Sequence, residues 1–194
     1  MSHWPVTLQH GDVTLRPIEQ GDARDWREAR ARNADWLRPW DATVPPGAKG
    51  RPATFRGMVK RLSRLARDDQ AMPFVVEVEG RLVGQVTVSN IVRGSGQFAS
   101  IGYWIDQRVA GRGVMPLAVA MTIDYCFFVA GLHRIEISIR PENTNSLRVV
   151  EKLEIHEVGY APRFLHIDGE WRDHRQFAIT AEECPGGLVK RLER

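Results

Sequence analysis

Residues 108–113 read Arg-Val-Ala-Gly-Arg-Gly and separate a strand pattern at 99–105 from a long apolar helix pattern at 114–129. Two glycines let the backbone of such a turn bend tightly and bring several N–H groups towards one ligand. The positive end of the helix dipole lies behind those N–H groups, so the turn favours an anion such as a diphosphate. Pro116 falls near the helix start, where its missing N–H costs nothing.

Three kinds of glycine turn between a strand and a helix hold phosphates, and two of them do not fit. A P-loop requires a Gly-Lys pair, but Gly113 is followed by Val114 and Met115. A dinucleotide fingerprint requires a third glycine, where this chain has Pro116. The third pattern, Arg/Gln-x-x-Gly-x-Gly/Ala, is matched at residues 108, 111 and 113. It resembles the coenzyme A pyrophosphate signature of the GNAT family of N-acetyltransferases; a glycine loop without a ligand is the alternative.

Composition narrows the class of protein. The 194 residues predict a single domain over 1–194, with a core at about 8–180 and a C-terminal tail at about 181–194. A net charge of +3, from 27 basic and 24 acidic residues, is too balanced to indicate direct nucleic-acid binding. The two cysteines lie far apart and suggest neither a disulfide framework nor a metal site. With no signal peptide or membrane span expected, the chain is predicted to be cytoplasmic.

Hydrophobic periodicity predicts the order of the elements. Strand patterns lie at 13–16, 74–78, 82–91, 99–105, 134–139, 164–167 and 176–180. Helices are predicted from Asp22, from a cap at Thr54, at 114–129 and at 146–153, whereas 36–40 and 44–52 are predicted loops. The expected fold class is α/β (α+β): a mixed central sheet of about seven strands flanked by helices.

Four motifs in the second half of the chain make the resemblance more specific. They are IGYWI at 101–105, RPENTNS at 140–146, VEKL at 150–153 and IDGEWRDH at 167–174. With the glycine loop, they resemble the ribosomal-protein-alanine N-acetyltransferases of the RimJ and RimL type. The resemblance implies acetyl-CoA as donor and the N-terminal α-amine of a protein, such as a ribosomal protein, as acceptor. A small-molecule amine as acceptor and a non-catalytic acyl-CoA-binding module are the alternatives; the oligomeric state stays open.

The resemblance also implies roles for particular residues. The loop amides would hold the pyrophosphate; they belong to Gly111, Arg112, Gly113, Val114 and Met115. Arg108 would either add charge there or be a solvated surface residue. The strand ending in Ile105 would offer a backbone N–H to the thioester oxygen. Asn143 would contact the pantetheine arm, and Ser146 would act as general acid towards the thiolate. Helix capping by Asn143, Asn145 or Ser146 is the alternative.

The general base and the acceptor site are less specified. Related enzymes often carry Glu where this chain has Ser100. A bound water, another carboxylate such as Asp106, or bulk solvent would then receive the proton. Three tryptophans would line the acceptor cleft or belong to the core: Trp36, Trp40 and Trp104. His174 is expected to be structural, and the histidines show no metal-binding spacing.

Overall fold

Eight strands form one mixed sheet within residues 4–48, 50 and 54–193, which the computed structural model describes. The strands run in the order β1-β2-β3-β4-β5-β6-β8-β7. Their bounds are β1 Leu8–His10, β2 Val13–Pro17, β3 Ala71–Val78, β4 Arg81–Val92, β5 Phe98–Ile105, β6 Arg134–Ile139, β7 His156–Ile167 and β8 Glu170–Thr180. Neighbouring strands are antiparallel except β5 and β6, which are parallel.

Six α-helices flank the sheet within the same residues. They are α1 Ala23–Arg32, α2 Ala34–Leu37, α3 Phe55–Arg67, α4 Val114–Phe128, α5 Thr144–Lys152 and α6 Leu188–Leu192. Short 3-10 helices lie at Gln20–Asp22, Arg38–Trp40 and Ala181–Glu183. Thr54 caps α3 as predicted, because its Oγ1 accepts the Gly57 N–H at 3.1 Å. Residues 44–48 and 50 carry no helix or strand, and the rest of that predicted loop lies outside the described residues.

The sheet differs from the prediction in one strand and in two strand lengths. β1 is the additional strand; its three residues are too few to show alternation, and it is held by antiparallel pairing with β2. β7 and β8 begin well before residues 164 and 176, where they were predicted to start. Most of β7 is exposed, so it lacks the apolar alternation that marks a half-buried strand.

The predicted loop at 36–40 is helical, and the predicted tail packs against the core. Leu37 donates its N–H to the Asn33 carbonyl at 2.9 Å and closes the single turn of α2. Beyond residue 180, Leu188 is fully buried, and Asp124 of α4 accepts the Leu188 and Val189 N–H groups at 2.6 and 3.0 Å. Burial of α6 against α4 therefore extends the core to the C-terminal region.

Helix α4 is the centre of the main core. Its residues are apolar on nearly every side, and Ala118, Val119 and Ile123 are fully buried between the sheet, α5 and α6. Cys126 on this helix and Cys184 are both free and buried, as expected of core thiols. Within the described residues, no helix is long and apolar enough to cross a bilayer.

Strands β5 and β6 separate halfway along their length. Their parallel pairing covers Phe98↔Arg134, Ala99↔Ile135 and Ser100↔Glu136. β5 then continues to Ile105 beside β4, and β6 continues to Ile139 beside β8. A gap therefore opens in the middle of the sheet, and backbone groups on its two edges face each other without pairing.

Candidate active site

The glycine loop leads into α4, whose N-terminus faces this gap. Gly111 and Gly113 both have φ of 81°, the left-handed conformation that side chains disfavour. Gly113 is the N-cap of α4, and its carbonyl accepts the Leu117 N–H at 3.2 Å. Among the described residues, no recorded hydrogen bond uses the N–H groups of Gly113, Val114 or Met115. They form the kind of free helix end that binds anions.

Two buried side chains hold the loop in place. Asn33, which is 3% exposed, accepts the Gln107 N–H at 2.9 Å. Asp106, which is 2% exposed, accepts the Arg108 N–H at 3.0 Å and the Arg32 Nε–H at 2.6 Å. Neither anchor was predicted, because the Asn33–Gln107 and Arg32–Asp106 contacts each span 74 residues of sequence.

Asp106 is therefore unsuited to act as the general base. Burial alone would raise its pKa, but the Arg108 N–H and the Arg32 guanidinium outweigh burial and hold the pKa below its usual value. The carboxylate is ionised, and both of its oxygens already accept hydrogen bonds. Asp106 was one of several alternatives for receiving the substrate proton, and its environment argues against it, since both oxygens already bind the loop and Arg32.

A cleft of about 1500 Å³ extends from the glycine loop through the gap to the tryptophans of α1 and α2. Most of the predicted site residues line it: Trp36, Trp40, Trp104, Ile105, Gly111, Gly113, Met115, Asn143 and Ser146. Arg108 and Arg112 are exposed outside the lining, and Val114 is buried beneath it. Arg108 is thus exposed to solvent, and its predicted contribution of charge at the pyrophosphate stays a prediction.

The edge of β5 supplies backbone donors to the gap. Asp106 donates its N–H to the Val83 carbonyl of β4 at 2.7 Å. Because backbone groups alternate along a strand, the N–H groups of Ile105 and Tyr103 point away from β4 and into the gap. Trp36 Nε1 donates to the Ile105 carbonyl at 3.1 Å on that same side. The Ile105 N–H therefore faces the gap as a hydrogen-bond donor, and its predicted role towards the thioester oxygen stays a prediction.

Asn143 caps α5, which decides between the three residues considered as caps. Its Oδ1 accepts the Ser146 N–H at 3.1 Å. The Ser146 hydroxyl is not used for capping. The Ser146 carbonyl instead accepts a long hydrogen bond, 3.4 Å, from the Tyr103 hydroxyl. Burial raises the pKa of Tyr103, so this hydroxyl is a protonated donor beside Ser146. Sequence reasoning had considered Tyr103 only as part of the strand.

Replacing Ser146 with alanine tests its predicted role as general acid. We expect kcat to fall by about tenfold to a hundredfold, since a thiolate leaves readily even without full proton donation. The affinity for coenzyme A should change little, because the cap is Asn143. Steady-state kinetics and calorimetry separate the two effects. Ser63→Ala, a serine of α3 outside the cleft lining, is the control; an unchanged kcat in Ser146→Ala would remove the role.

Aromatic side chains and one arginine form the opposite wall of the cleft. Trp26 and Trp104 meet edge to face at 6.4 Å, and Gln85 Oε1 accepts both indole N–H groups at 3.1 and 3.4 Å. The Arg30 guanidinium lies 5.8 and 5.4 Å from these two rings and pairs with Asp41. Trp26 and Arg30 were not predicted as site residues. This wall offers flat, electron-rich surface to an acceptor.

Segment 41–43 closes the cleft on the side of β7. Ala42 forms an isolated antiparallel bridge with Ile167. Thr43 donates its N–H to the His166 carbonyl at 2.9 Å, and Asp168 donates its N–H to the Asp41 carbonyl at 3.1 Å. These bonds join the aromatic wall to the β7–β8 hairpin. Residues that are far apart in the sequence therefore line one common space.

Positive side chains of α5 lie at the glycine loop. Lys152 Nζ is 3.9 Å from the position that a Cβ on Gly113 would occupy, and Arg148 also lines the cleft. Free amides and a nearby ammonium together fit a diphosphate. The long gap beyond them fits the extended arm of coenzyme A. The sequence had indicated Lys152 only as part of the VEKL motif at 150–153, without a role of its own. Within the described residues, no group of three metal-ligating side chains is found.

Comparison with known proteins agrees with this geometry. The model of the acetyltransferase (GNAT) domain family matches residues 12–156. The solved structure of Mycobacterium smegmatis RimJ in complex with CoA-disulfide has a TM-score of 0.91 and 37% identity, covering 98% of this chain and 94% of RimJ. A probable N-acetyltransferase of Bacillus subtilis, YjcK, is 33% identical over 89% of this chain and 96% of its own.

Relatives with named acceptors are more distant. The ribosomal protein uS5-alanine N-acetyltransferase of Escherichia coli is 29% identical over 94% of both chains. The spermidine N(1)-acetyltransferase of Escherichia coli is 26% identical over 86% of this chain and 85% of its own. Similarity to N-acetyltransferases along most of the chain argues against the non-catalytic binding module. The chain belongs to the GNAT family and is an N-acetyltransferase that uses acetyl-CoA as its donor.

Proposed function

We propose that this enzyme acetylates the N-terminal α-amine of a protein, and specifically of a ribosomal protein. The observation that carries the proposal is the similarity to the uS5-alanine N-acetyltransferase, which extends over 94% of both chains. The four cleft-facing motifs found in the sequence support it. The same proposal places the enzyme in the cytoplasm, where ribosomal proteins are synthesised.

The cleft residues suggest how the donor is held. The N–H groups of Gly113, Val114 and Met115 would bind the pyrophosphate, with Lys152 adding positive charge. Asn143 would contact the pantetheine arm where it passes the start of α5. When bound, acetyl-CoA supplies an activated acyl carbonyl. Holding it beside the acceptor in one cleft removes much of the entropic barrier to their reaction.

The remaining residues suggest how charge is managed during transfer. The Ile105 N–H would donate to the carbonyl oxygen as negative charge develops there. Ser146, with Tyr103 beside it, would donate towards the sulfur that leaves. The wall of Trp36, Trp40 and Trp104 would orient the N-terminal residue of the acceptor.

A small cationic amine is the second candidate acceptor. The aromatic rings of the cleft attract cations, and the similarity to spermidine N(1)-acetyltransferase covers 86% of this chain. Arg30 and Arg140, which also line the cleft, work against a polycation by repulsion. A peptide carries only one positive charge at its reacting end, so we favour the peptide.

A panel of acceptors tests the proposed function. Thiol release from acetyl-CoA is measured with peptides that begin with Ala, Ser or Met, with the same peptides blocked at the α-amine, and with spermidine. We expect turnover with at least one free α-amine, none with its blocked form, and mass spectrometry placing acetyl on the first residue. Turnover restricted to spermidine or other small amines would reject the protein acceptor.

A further inference from the structure

His174 offers a proton-accepting nitrogen to the cleft. Its side chain lines the cleft and is 3% exposed. Nδ1 lies 3.0 Å from the Arg172 carbonyl oxygen. A carbonyl oxygen only accepts hydrogen bonds, so Nδ1 must carry the proton of the neutral ring. Nε2 of that tautomer carries the lone pair.

Nε2 is left without a hydrogen-bond partner. It makes no hydrogen bond within the described residues. It is also not among the fully enclosed side-chain nitrogens without a partner there, which are Arg172 Nε and Gln176 Nε2. Because His174 itself lines the cleft, a substrate group bound in the cleft is the partner that we expect for Nε2.

The position of His174 places it near the mouth of the gap. The register Ile139↔Arg175 sets His174 opposite Arg140, at the end of β6 that has separated from β5. Ser138 lies two residues before Arg140 on the same face and also lines the cleft. Its hydroxyl donates to Gln176 Oε1 at 2.7 Å. The imidazole is held further by Phe164 of β7, edge to face at 5.9 Å.

The charges around His174 keep it neutral near pH 7. Burial lowers the pKa of His174, and the nearby Arg140 charge lowers it further. The Arg172 carbonyl and the carboxylates of Asp173 and Glu142 oppose this without overcoming it. On β7, the paired residue is the uncharged Ala161. A neutral imidazole in a partly buried site is suited to accept a proton.

The carboxylates considered as proton acceptors are either absent or already paired. Ser100 stands where related enzymes often carry a carboxylate, Asp106 is committed to the glycine loop, and Asp41 pairs with Arg30. We propose that His174 Nε2 takes up the proton that the acceptor amine loses during acetyl transfer. This proposal rests on the function proposed above. The neutral amine nitrogen bonds to the acyl carbon and the C–S bond breaks. The departing thiolate takes a proton from Ser146, which regains one from solvent, and His174 releases to solvent the proton that the amine has lost.

His174→Asn is the sharpest variant, because an asparagine amide can still donate to the Arg172 carbonyl but cannot accept the proton. With acetyl-CoA and the best peptide of the panel, kcat at pH 7 should fall at least about a hundredfold. In the wild type, log kcat should rise with pH and level off above a pKa below the ordinary 6.5 of histidine. In the variant that plateau should disappear, while the dissociation constant for coenzyme A stays within threefold.

Two controls make the result decisive. His156→Asn, on an exposed residue of β7, should retain the wild-type kcat and pH profile. ¹⁵N NMR of the wild type should show His174 as the Nδ1–H tautomer, a readout that needs no acceptor. If His174→Asn folds and keeps kcat within threefold, or if NMR finds the proton on Nε2, the proposal is wrong. If no amine is turned over by the wild type, the proposed function fails instead.

Discussion

Gly113→Val should raise the dissociation constant for coenzyme A by at least about a hundredfold, since a β-branched residue disfavours φ of 81°. The left-handed conformation costs an ordinary residue about 1–2 kcal/mol, so the loop would relax towards a different backbone. That relaxation would turn the N–H groups of Val114 and Met115 away from a common point. The new side chain would also approach Lys152 Nζ, which lies 3.9 Å from the Cβ position.

Gly131→Val is a matched control for this prediction. Gly131 also has positive φ, 67°, and no atom lies within 4 Å of its Cβ position. It follows α4 at the opposite end from the glycine loop. Both variants should lose a similar amount of stability, but only Gly113→Val should lose affinity, as measured by calorimetry with coenzyme A. Wild-type affinity in a folded Gly113→Val protein would remove the assigned role of the loop.

Asp106→Ala should lower the free energy of unfolding by about 3 kcal/mol, near the lower end for breaking a buried ion pair because Arg32 is partly solvated. The variant also removes the acceptor for the Arg108 N–H, so the glycine loop loses an anchor. Affinity for coenzyme A should therefore fall together with stability. Chemical denaturation and calorimetry measure the two effects.

The pH dependence of this variant provides an independent check. The folded pKa of Asp106 lies below its ordinary value, so its contribution to stability is complete above about pH 4. That contribution is lost as the pH falls through the folded pKa. Asp106→Ala should consequently lose less stability than the wild type on acidification over this range. The control is Asp35→Ala, which removes an exposed partner of Arg38 at 3.9 Å and should change neither the free energy of unfolding nor the affinity for coenzyme A. Equal behaviour of the two variants would contradict the anchoring role of Asp106.

Much of the fold was predictable because its signals are local. The apolar strand patterns at 74–78 and 82–91, the apolar run of α4 and the cap at Thr54 each reflect the immediate surroundings of their own residues. β1 and α2 were missed because three or four residues are too short to show a period. Their conformations depend on partners, β2 in one case and the end of α1 in the other.

The candidate site divides in the same way. The glycine loop and the start of α5 were found because a turn and a helix start have sequence signatures. The choice of the capping residue stayed open, since Asn143, Asn145 and Ser146 are all suitable caps and only the backbone geometry distinguishes them. Lys152, Tyr103 and Trp26 gave no signal of their own, because each enters the cleft from a separate element.

For this protein, the amino-acid sequence was sufficient to indicate a diphosphate-binding site at 108–113, the fold class and the acetyl donor. Backbone conformation at a glycine turn and helix dipoles are short-range properties, which a hexapeptide and its neighbours can carry. The roles of Asp106 and His174 came from packing instead. Asp106 meets Arg32 across 74 residues, and His174 meets the cleft only through the β6–β8 register. From the sequence alone, Asp106 could have been a base and His174 a structural residue. Their roles depend on burial and hydrogen-bond partners, which arise only on folding.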